Sequence, residues 1–301
     1  MELWIFIAVA AAAFQTLRFM LQKHLSMGPL STGGATFSRF FYSAPIITTL
    51  AVLYLIWTRE SIPAFSAKFW AYATAGGLAQ ILATWCVVAL FRQRNFAVGI
   101  TFKKTEVLQT AILGFVILGD RVSLFGALAI LIGLVGVLIL SQKPGQLDRS
   151  WMSGLLNKGA GLGLLSGIFF AISAVGYRGA TLEIASADPF FRSSVSLAIV
   201  TLGQTFGMAI WLTWRESGEI GRVIAARRTA IWMGVTGMAG SLCWFTAFTM
   251  QNAAYVFAVG QVEVIFSLAA AALFFKERVS GKELLAIAII TVSILILVVA
   301  G

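Results

Sequence analysis

The sequence predicts an all-α integral membrane protein with ten transmembrane helices, laid out as two inverted five-helix repeats around a central cavity. Three observations lead there. Hydrophobic residues fill 59% of the 301 positions and charged residues 11%, with a mean hydropathy of +0.91, whereas about a quarter of a soluble domain is charged. Apolar runs of about 20 residues, enough to cross a hydrocarbon core, recur along the whole chain. The chain also repeats itself. Shifted by 157 positions, Glu106 falls on Glu263, Val107 on Val264 and Arg121-Val122-Ser123 on Arg278-Val279-Ser280. In the same ungapped frame Cys86 meets Cys243, Phe91 meets Phe248, Asn95 meets Asn252 and Ala97 meets Ala254.

The runs are continuous rather than alternating, so they read as helices and not as barrel strands. The first repeat, residues 1–141, holds spans at about 3–21, 35–57, 69–91, 96–118 and 122–140. A polar linker over 142–154, with Lys143, Pro144, Gly145, Asp148 and Arg149, divides the protein. The second repeat, 155–301, holds spans at about 155–177, 189–214, 230–248, 253–275 and 284–299. An odd number of crossings per repeat sends the second copy through the membrane from the opposite side, the inverted pair of alternating-access carriers. The first run starts at Leu3 without a basic leader or small-residue cleavage site and reads as a retained helix.

Lys and Arg concentrate in the links after spans 1, 3, 5, 7 and 9, from Lys23 through Arg92, Arg94, Lys143, Arg149, Lys158, Arg215, Arg222, Arg227 and Arg228 to Lys276, Arg278 and Lys282. That bias puts those links in the cytoplasm and both termini in the periplasm of a bacterial inner membrane. The net charge of +10 is loop charge of this kind. No basic arm or aromatic-basic interleaving points to nucleic acid. Cys86 and Cys243 lie inside apolar runs, without disulfide framework or zinc spacing, and no cofactor or metal is expected. Gly159, Gly163 and Gly167, and Gly203 with Gly207, recur at four-residue spacing and predict close helix contacts. Trp57, Trp70, Trp151, Trp211, Trp214 and Trp232 fall near span ends, as an interfacial belt.

Function is sought where polar groups interrupt these spans, since an ionised side chain costs about 2.5–3.5 kcal/mol at a bilayer centre. Lys103, Glu106, Gln109 and Thr110 share one helical face, so Lys103 is expected to pair with Glu106. Lys104 points elsewhere and needs its own partner or water. Gln261 and Glu263 have no basic neighbour on their helix, so Glu263 must find a cation on another span, be protonated or face water, and Arg18, Arg39 and Arg192 are available cations. Gln15, Thr16, Arg18 and Gln22 give the first span a polar stripe. Trp85 and Trp244 lie well inside their spans and, with Phe245 and Tyr255, are candidates to line a ligand cavity. An interhelical salt-bridge network that fixes register would also account for the charges.

The stretch Leu118-Gly119-Asp120-Arg121-Val122-Ser123, with Gly126, Gly133 and Gly136 in the next span, resembles the end of the repeat unit of the drug/metabolite transporter superfamily, the EamA repeat. Phe275-Lys276-Glu277-Arg278-Val279-Ser280 and the tenth span form its second copy. The resemblance implies a ten-helix carrier with spans 3, 4, 8 and 9 around the cavity, whose substrates include amino acids, cationic drugs and metabolites. Members commonly carry a proline early in the fourth span of each repeat, where this chain has Lys103-Lys104-Thr105-Glu106 and Gly260-Gln261-Val262-Glu263.

A mixed-sign patch beside Trp85 and Trp244 suits a zwitterion with an apolar side chain. The expected function is therefore export of amino acids, aromatic or apolar ones included. Glu106 and Glu263 would serve as proton or amine sites, and Lys103, Lys104, Gln109 and Gln261 would meet a carboxylate. A multidrug or quaternary-ammonium carrier is the alternative, and a pore a lesser one. No His-Glu-x-x-His or Gly-x-Ser-x-Gly motif suggests an enzyme. The expected partners are a small-molecule substrate and the lipid bilayer, with the monomer sufficient for function because the two repeats are fused.

Overall fold

The computed structural model describes residues 2–91, 103–140, 158–266, 269 and 281–300. The regular structure among the described residues is helical: α1 (Leu3–Met27), α2 (Thr32–Thr58), α3 (Ala67–Phe91), α4 (Glu106–Leu118), α5 (Leu124–Leu140), α6 (Lys158–Leu182), α7 (Pro189–Arg215), α8 (Arg227–Met250), α9 (Ala253–Gly260) and α10 (Gly281–Ala300). A short helix, Glu219–Ala225, lies between α7 and α8. Six helices, α1, α2, α3, α6, α7 and α8, are long and apolar enough to cross a membrane, and four shorter apolar helices accompany them. The expected linker over 142–154, Arg92, Arg94, Asn95, Ala97, Trp151, the start of the fourth expected span, the end of the ninth and the Phe275–Ser280 motif lie outside the described residues.

Local chemistry sets the helix ends. Ser31 Oγ accepts from Gly34 N at 2.9 Å and starts α2, Asp188 Oδ1 accepts from Phe190 N at 2.8 Å ahead of Pro189 in α7, and Asn252 Oδ1 accepts from Ala254 N at 2.9 Å in α9. Each satisfies an orphan N–H of the first turn. Gly119 ends α4 at φ 71°, a left-handed conformation that glycine reaches without strain.

The packing has its own symmetry. The most extensive pairing is α3 with α6, and α1 packs on α8 in the equivalent way, since exchanging each helix for the one five places away, α3 for α8 and α6 for α1, turns the first pair into the second. Helices α2 and α7, α4 and α9, and α5 and α10 pair with each other. At the α3–α6 crossing a Cβ on Gly176 would lie 2.9 Å from Gly76 Cα, so both helices need glycine there. Gly167 also makes a helix contact, against the Lys103 carbonyl and Gln109. Gly203 and Gly207 do not: a Cβ at either would meet open space, so their four-residue spacing marks a gap instead of an interface.

Hydrogen bonds sort the loops to two ends of the bundle. At one end Glu60 meets Ser186, Ser66 meets Glu183, and Asn252 reaches the Arg121 carbonyl. At the other, Ser31 meets Glu216 and Glu219. Outward-facing Ile112, Val116, Phe206 and Ile210 make the flank apolar, as a lipid-facing surface requires. Trp57, Trp214 and Trp232 are exposed close to helix ends, in keeping with an interfacial belt.

Candidate functional site

Both helices that carry the candidate carboxylates are broken beside them. A turn at Lys104–Thr105 precedes α4, and a turn at Gln261 follows α9 before helix resumes over 262–266. These breaks fall at the same repeat position, 104 and 261. Each places a carboxylate at the start of a helical segment, Glu106 at its first residue and Glu263 at its second. Unpaired backbone N–H groups and the positive end of the helix dipole favour an anion there.

The charges then pair across the molecule. Lys103 Nζ lies 2.9 Å from Glu106 Oε1, the local pair that the spacing predicts. Lys104 Nζ lies 3.0 Å from Glu263 Oε2. Glu263 makes its salt bridge with a lysine 159 positions away, redirected by the turn that interrupts its helix, and of the three arginines Arg18 interacts with it electrostatically. Gln15 Nε2 donates to the same Glu263 oxygen at 2.9 Å, and Trp244 Nε1 donates to Gln15 Oε1 at 3.1 Å. A chain Trp244–Gln15–Glu263–Lys104 thus joins α8, α1, the segment after α9, and the turn before α4. All four ionised groups are at least nine-tenths buried.

Aromatic rings shape the surroundings. Lys103 Nζ stands 5.0 Å from the Phe170 ring centroid and 5.6 Å from that of Phe19, within cation–π range. Trp244 stacks on Phe248 at 5.6 Å, and Phe257 meets both rings edge-on. The indole fits because position 260 is glycine: a Cβ there would overlap the Trp244 ring. Repeat symmetry is broken here, with Lys103 in one half and a glycine that makes room for Trp244 in the other.

The remaining candidates sit elsewhere. Gln261 Nε2 bonds the Phe257 carbonyl of its own helix at 3.3 Å, and Gln109 Nε2 bonds Thr105 Oγ1 at 3.0 Å. The Oε1 of each accepts no hydrogen bond among the described residues. Tyr255 is near one end of the bundle, where its hydroxyl accepts from Ser123 N at 2.8 Å. Trp85 packs edge-on against Trp211 at 5.0 Å and does not share a cavity with Trp244. The two tryptophans expected to line one hollow are therefore separated.

The cavity Trp85 does line has a volume of about 520 Å3 and lies between α3 and α7, floored by Gly77, Gly203 and Gly207. Gln204 borders it, donating to the Gly77 carbonyl and Gln80 Oε1 at 2.9 Å each. Tyr177 O–H also donates to Gln80 Oε1 at 2.9 Å. Three polar residues inside apolar spans were the sequence signal for this missed network. The charged centre, in contrast, is closed. A hollow of about 10 Å3 touches Lys104 and Gln261, about the space of one water probe. Among the described residues, the region expected to be a central cavity is filled by the ion pairs and by Trp244.

A second polar cluster lies at the Asp120 end. Arg178 Nε and Nη2 bond the two Asp120 carboxylate oxygens at 2.7 and 3.1 Å, and its Nη1 donates to the carbonyls of Phe248 and Gln251 at 2.6 and 2.9 Å. A cation at the α8 C-terminus satisfies carbonyls that the helix leaves unpaired. Arg192 does likewise for α6, bonding the carbonyls of Thr181 and Leu182. No group of three or more His, Cys, Asp or Glu side chains fit to hold a metal occurs among the described residues.

Comparison with known proteins finds one family model that matches part of the chain. Residues 157–299 match the model of the EamA-like transporter family. No curated protein matches the sequence. A solved crystal structure of a protein 13% identical superposes with a TM-score of 0.71, covering 99% of this chain and 96% of that one, a likeness of fold alone.

Proposed function

We propose that the chain, whose residues 157–299 match the EamA-like transporter family, is an alternating-access carrier of ten spans in two inverted halves, moving small amphiphilic metabolites, amino acids foremost, out of the cell. The observation that carries this reading is the Lys104–Glu263 pair, which links the two halves at buried, broken helices. Carriers with inverted repeats bind at such interruptions near the bilayer midplane.

In the closed state the protein's own charges satisfy each other. A zwitterion can replace both partners, its carboxylate taking Lys104 and its ammonium taking Glu263, while Trp244 offers an apolar face. Substrate binding then loosens the bond between the halves, and its departure lets them reseal. Lys103 and Glu106 form a second exchangeable pair one helical turn away, with Gln109 and Gln261 presenting unpaired carbonyl oxygens. Trp85 and Tyr255 are peripheral to this exchange.

A second reading, carriage of lipophilic cations, draws on the Trp244–Phe248–Phe257 cluster beside a carboxylate. Counterflow of labelled amino acids and of a quaternary ammonium compound in proteoliposomes separates the two. The Glu263→Gln variant is expected to lose at least tenfold in rate for the true substrate. Full activity of both Glu106→Gln and Glu263→Gln would remove the carboxylates from the mechanism.

A further inference from the structure

Two buried cations remain after the ion pairs are drawn. Arg18 of α1 is 2% exposed and Arg39 of α2 is 5% exposed. Both side chains pass over Gly237 of α8, where a Cβ would stand 3.2 Å from Arg39 Cγ and 3.4 Å from Arg18 Cδ. A glycine therefore lets the two stems lie together in the bundle interior.

Their hydrogen-bond partners are all neutral, and Glu263 acts on Arg18 only electrostatically, without a salt bridge. Arg39 Nη1 donates to Thr84 Oγ1 and Nη2 to Ser241 Oγ, each at 3.0 Å. Arg18 Nη1 reaches Gln22 Oε1 at 3.4 Å, and its guanidinium lies 4.3 Å from the Phe19 ring centroid. No carboxylate makes a salt bridge with either among the described residues, because Glu106 is held by Lys103 and Glu263 by Lys104. Among the described residues, the four buried cations Arg18, Arg39, Lys103 and Lys104 face two carboxylates in the bundle interior, Glu106 and Glu263, Glu219 being buried at its end.

An excess of two like charges in a lipid-surrounded core is costly to keep. Hydroxyl and amide partners fix the guanidinium planes without cancelling their charge. These bonds use two of the five N–H donors of Arg39 and one of those of Arg18. What remains is an arginine fork geometry suited to planar or tetrahedral oxyanions, which accept two parallel hydrogen bonds.

We propose that Arg18 and Arg39 together form the subsite for an oxyanion, the carboxylate or phosphate group of the transported molecule, and that this molecule carries net negative charge. The inference rests on the carrier reading and narrows it: within amino acids, it selects those whose carboxylates outnumber their amines. Thr84 and Ser241 act as positioning residues that hold Arg39 for the anion.

The test uses the full-length protein in nanodiscs, titrated with malonate and with inorganic phosphate, against chloride at matched ionic strength, and followed by its unfolding midpoint. A saturable rise with malonate or phosphate and none with chloride is expected. Malonate responding alone identifies a carboxylate ligand, and phosphate alone a phosphate ester. Arg18→Gln and Arg39→Gln are each expected to weaken the response at least tenfold. Arg39→Lys should recover part of it, since an ammonium keeps the charge but not the fork. Ser241→Ala retains both guanidiniums but releases Arg39 Nη2, and should weaken the response less than either Gln variant while leaving it saturable.

Absence of a saturable rise in the unaltered protein overturns the proposal even if the variants fail to fold. So does a rise that persists undiminished in both Gln variants. An arginine-dependent rise together with failure of every counterflow assay leaves the anion site standing and removes the carrier reading.

Discussion

The Lys104–Glu263 pair is expected to behave as one unit in a double-mutant cycle. The partners are 3.0 Å apart with side chains 3% and 10% exposed, so removing either strands a charge in a dry interior. Breaking such a pair from one side costs about 3–5 kcal/mol, whereas replacing both partners by neutral groups of similar volume is nearly free. Lys104→Met leaves Glu263 with its bond from Gln15, which puts that variant toward the lower figure. Glu263→Gln deprives Lys104 of its salt bridge and belongs at the upper one. The double variant should lose less than the more damaging single change, which requires a coupling energy above about 3 kcal/mol. Equilibrium unfolding in mixed micelles, read by tryptophan fluorescence, measures all four corners of the cycle. Purely additive losses, with coupling below about 0.5 kcal/mol, would refute the contact and the exchange mechanism built on it.

Three further outcomes follow from packing. Gly176→Leu should prevent assembly or lower stability by several kcal/mol, because the new side chain meets Gly76 backbone, while Gly203→Leu should be tolerated and fill the cavity between α3 and α7; thermal melting of the two variants distinguishes them. Arg178→Met removes two bonds to Asp120 and two to the end of α8, and a loss of about 3–5 kcal/mol is expected in the same unfolding assay. Gly260→Leu should collide with Trp244 and be destabilised, and pairing it with Trp244→Ala should restore a large part of the midpoint, a rescue that a contact-free glycine would not show.

The hydrophobic runs announced the long helices well, and missed their ends for a physical reason. The first run appears to stop at Leu21, yet α1 continues to Met27 because Gln22 is buried against α2 and donates to the Ala35 carbonyl. The sixth runs on past Tyr177 because Arg178 finds Asp120 and two carbonyls at the bundle end. Hydropathy counts these polar residues against a helix, but protein contacts satisfy them.

The Lys103–Glu106 pair could be read from a spacing of three. The Lys104–Glu263 pair could not, since helical-face geometry assumes an unbroken helix and the turn at Lys104–Thr105 removes that assumption. Trp85 and Trp244 looked alike by depth, but they are not repeat equivalents, and only coordinates show which ring faces the charges. The hydroxyls of Thr84 and Ser241 gave no sequence signal, being ordinary residues in apolar helices until an arginine reaches them.

The helix pairings bear on which parts move as bodies. The principal neighbour of α1 is α8, that of α3 is α6, and α5 lies against α10, so each bonded couple takes one member from either side of the linker. The repeat boundary expected from the sequence is therefore not where the packing divides. Severing the chain there should yield fragments that each lack most of their packing surface and fold only when produced together, and any rocking motion must carry mixed couples, threaded through one another, instead of one half sliding past its copy.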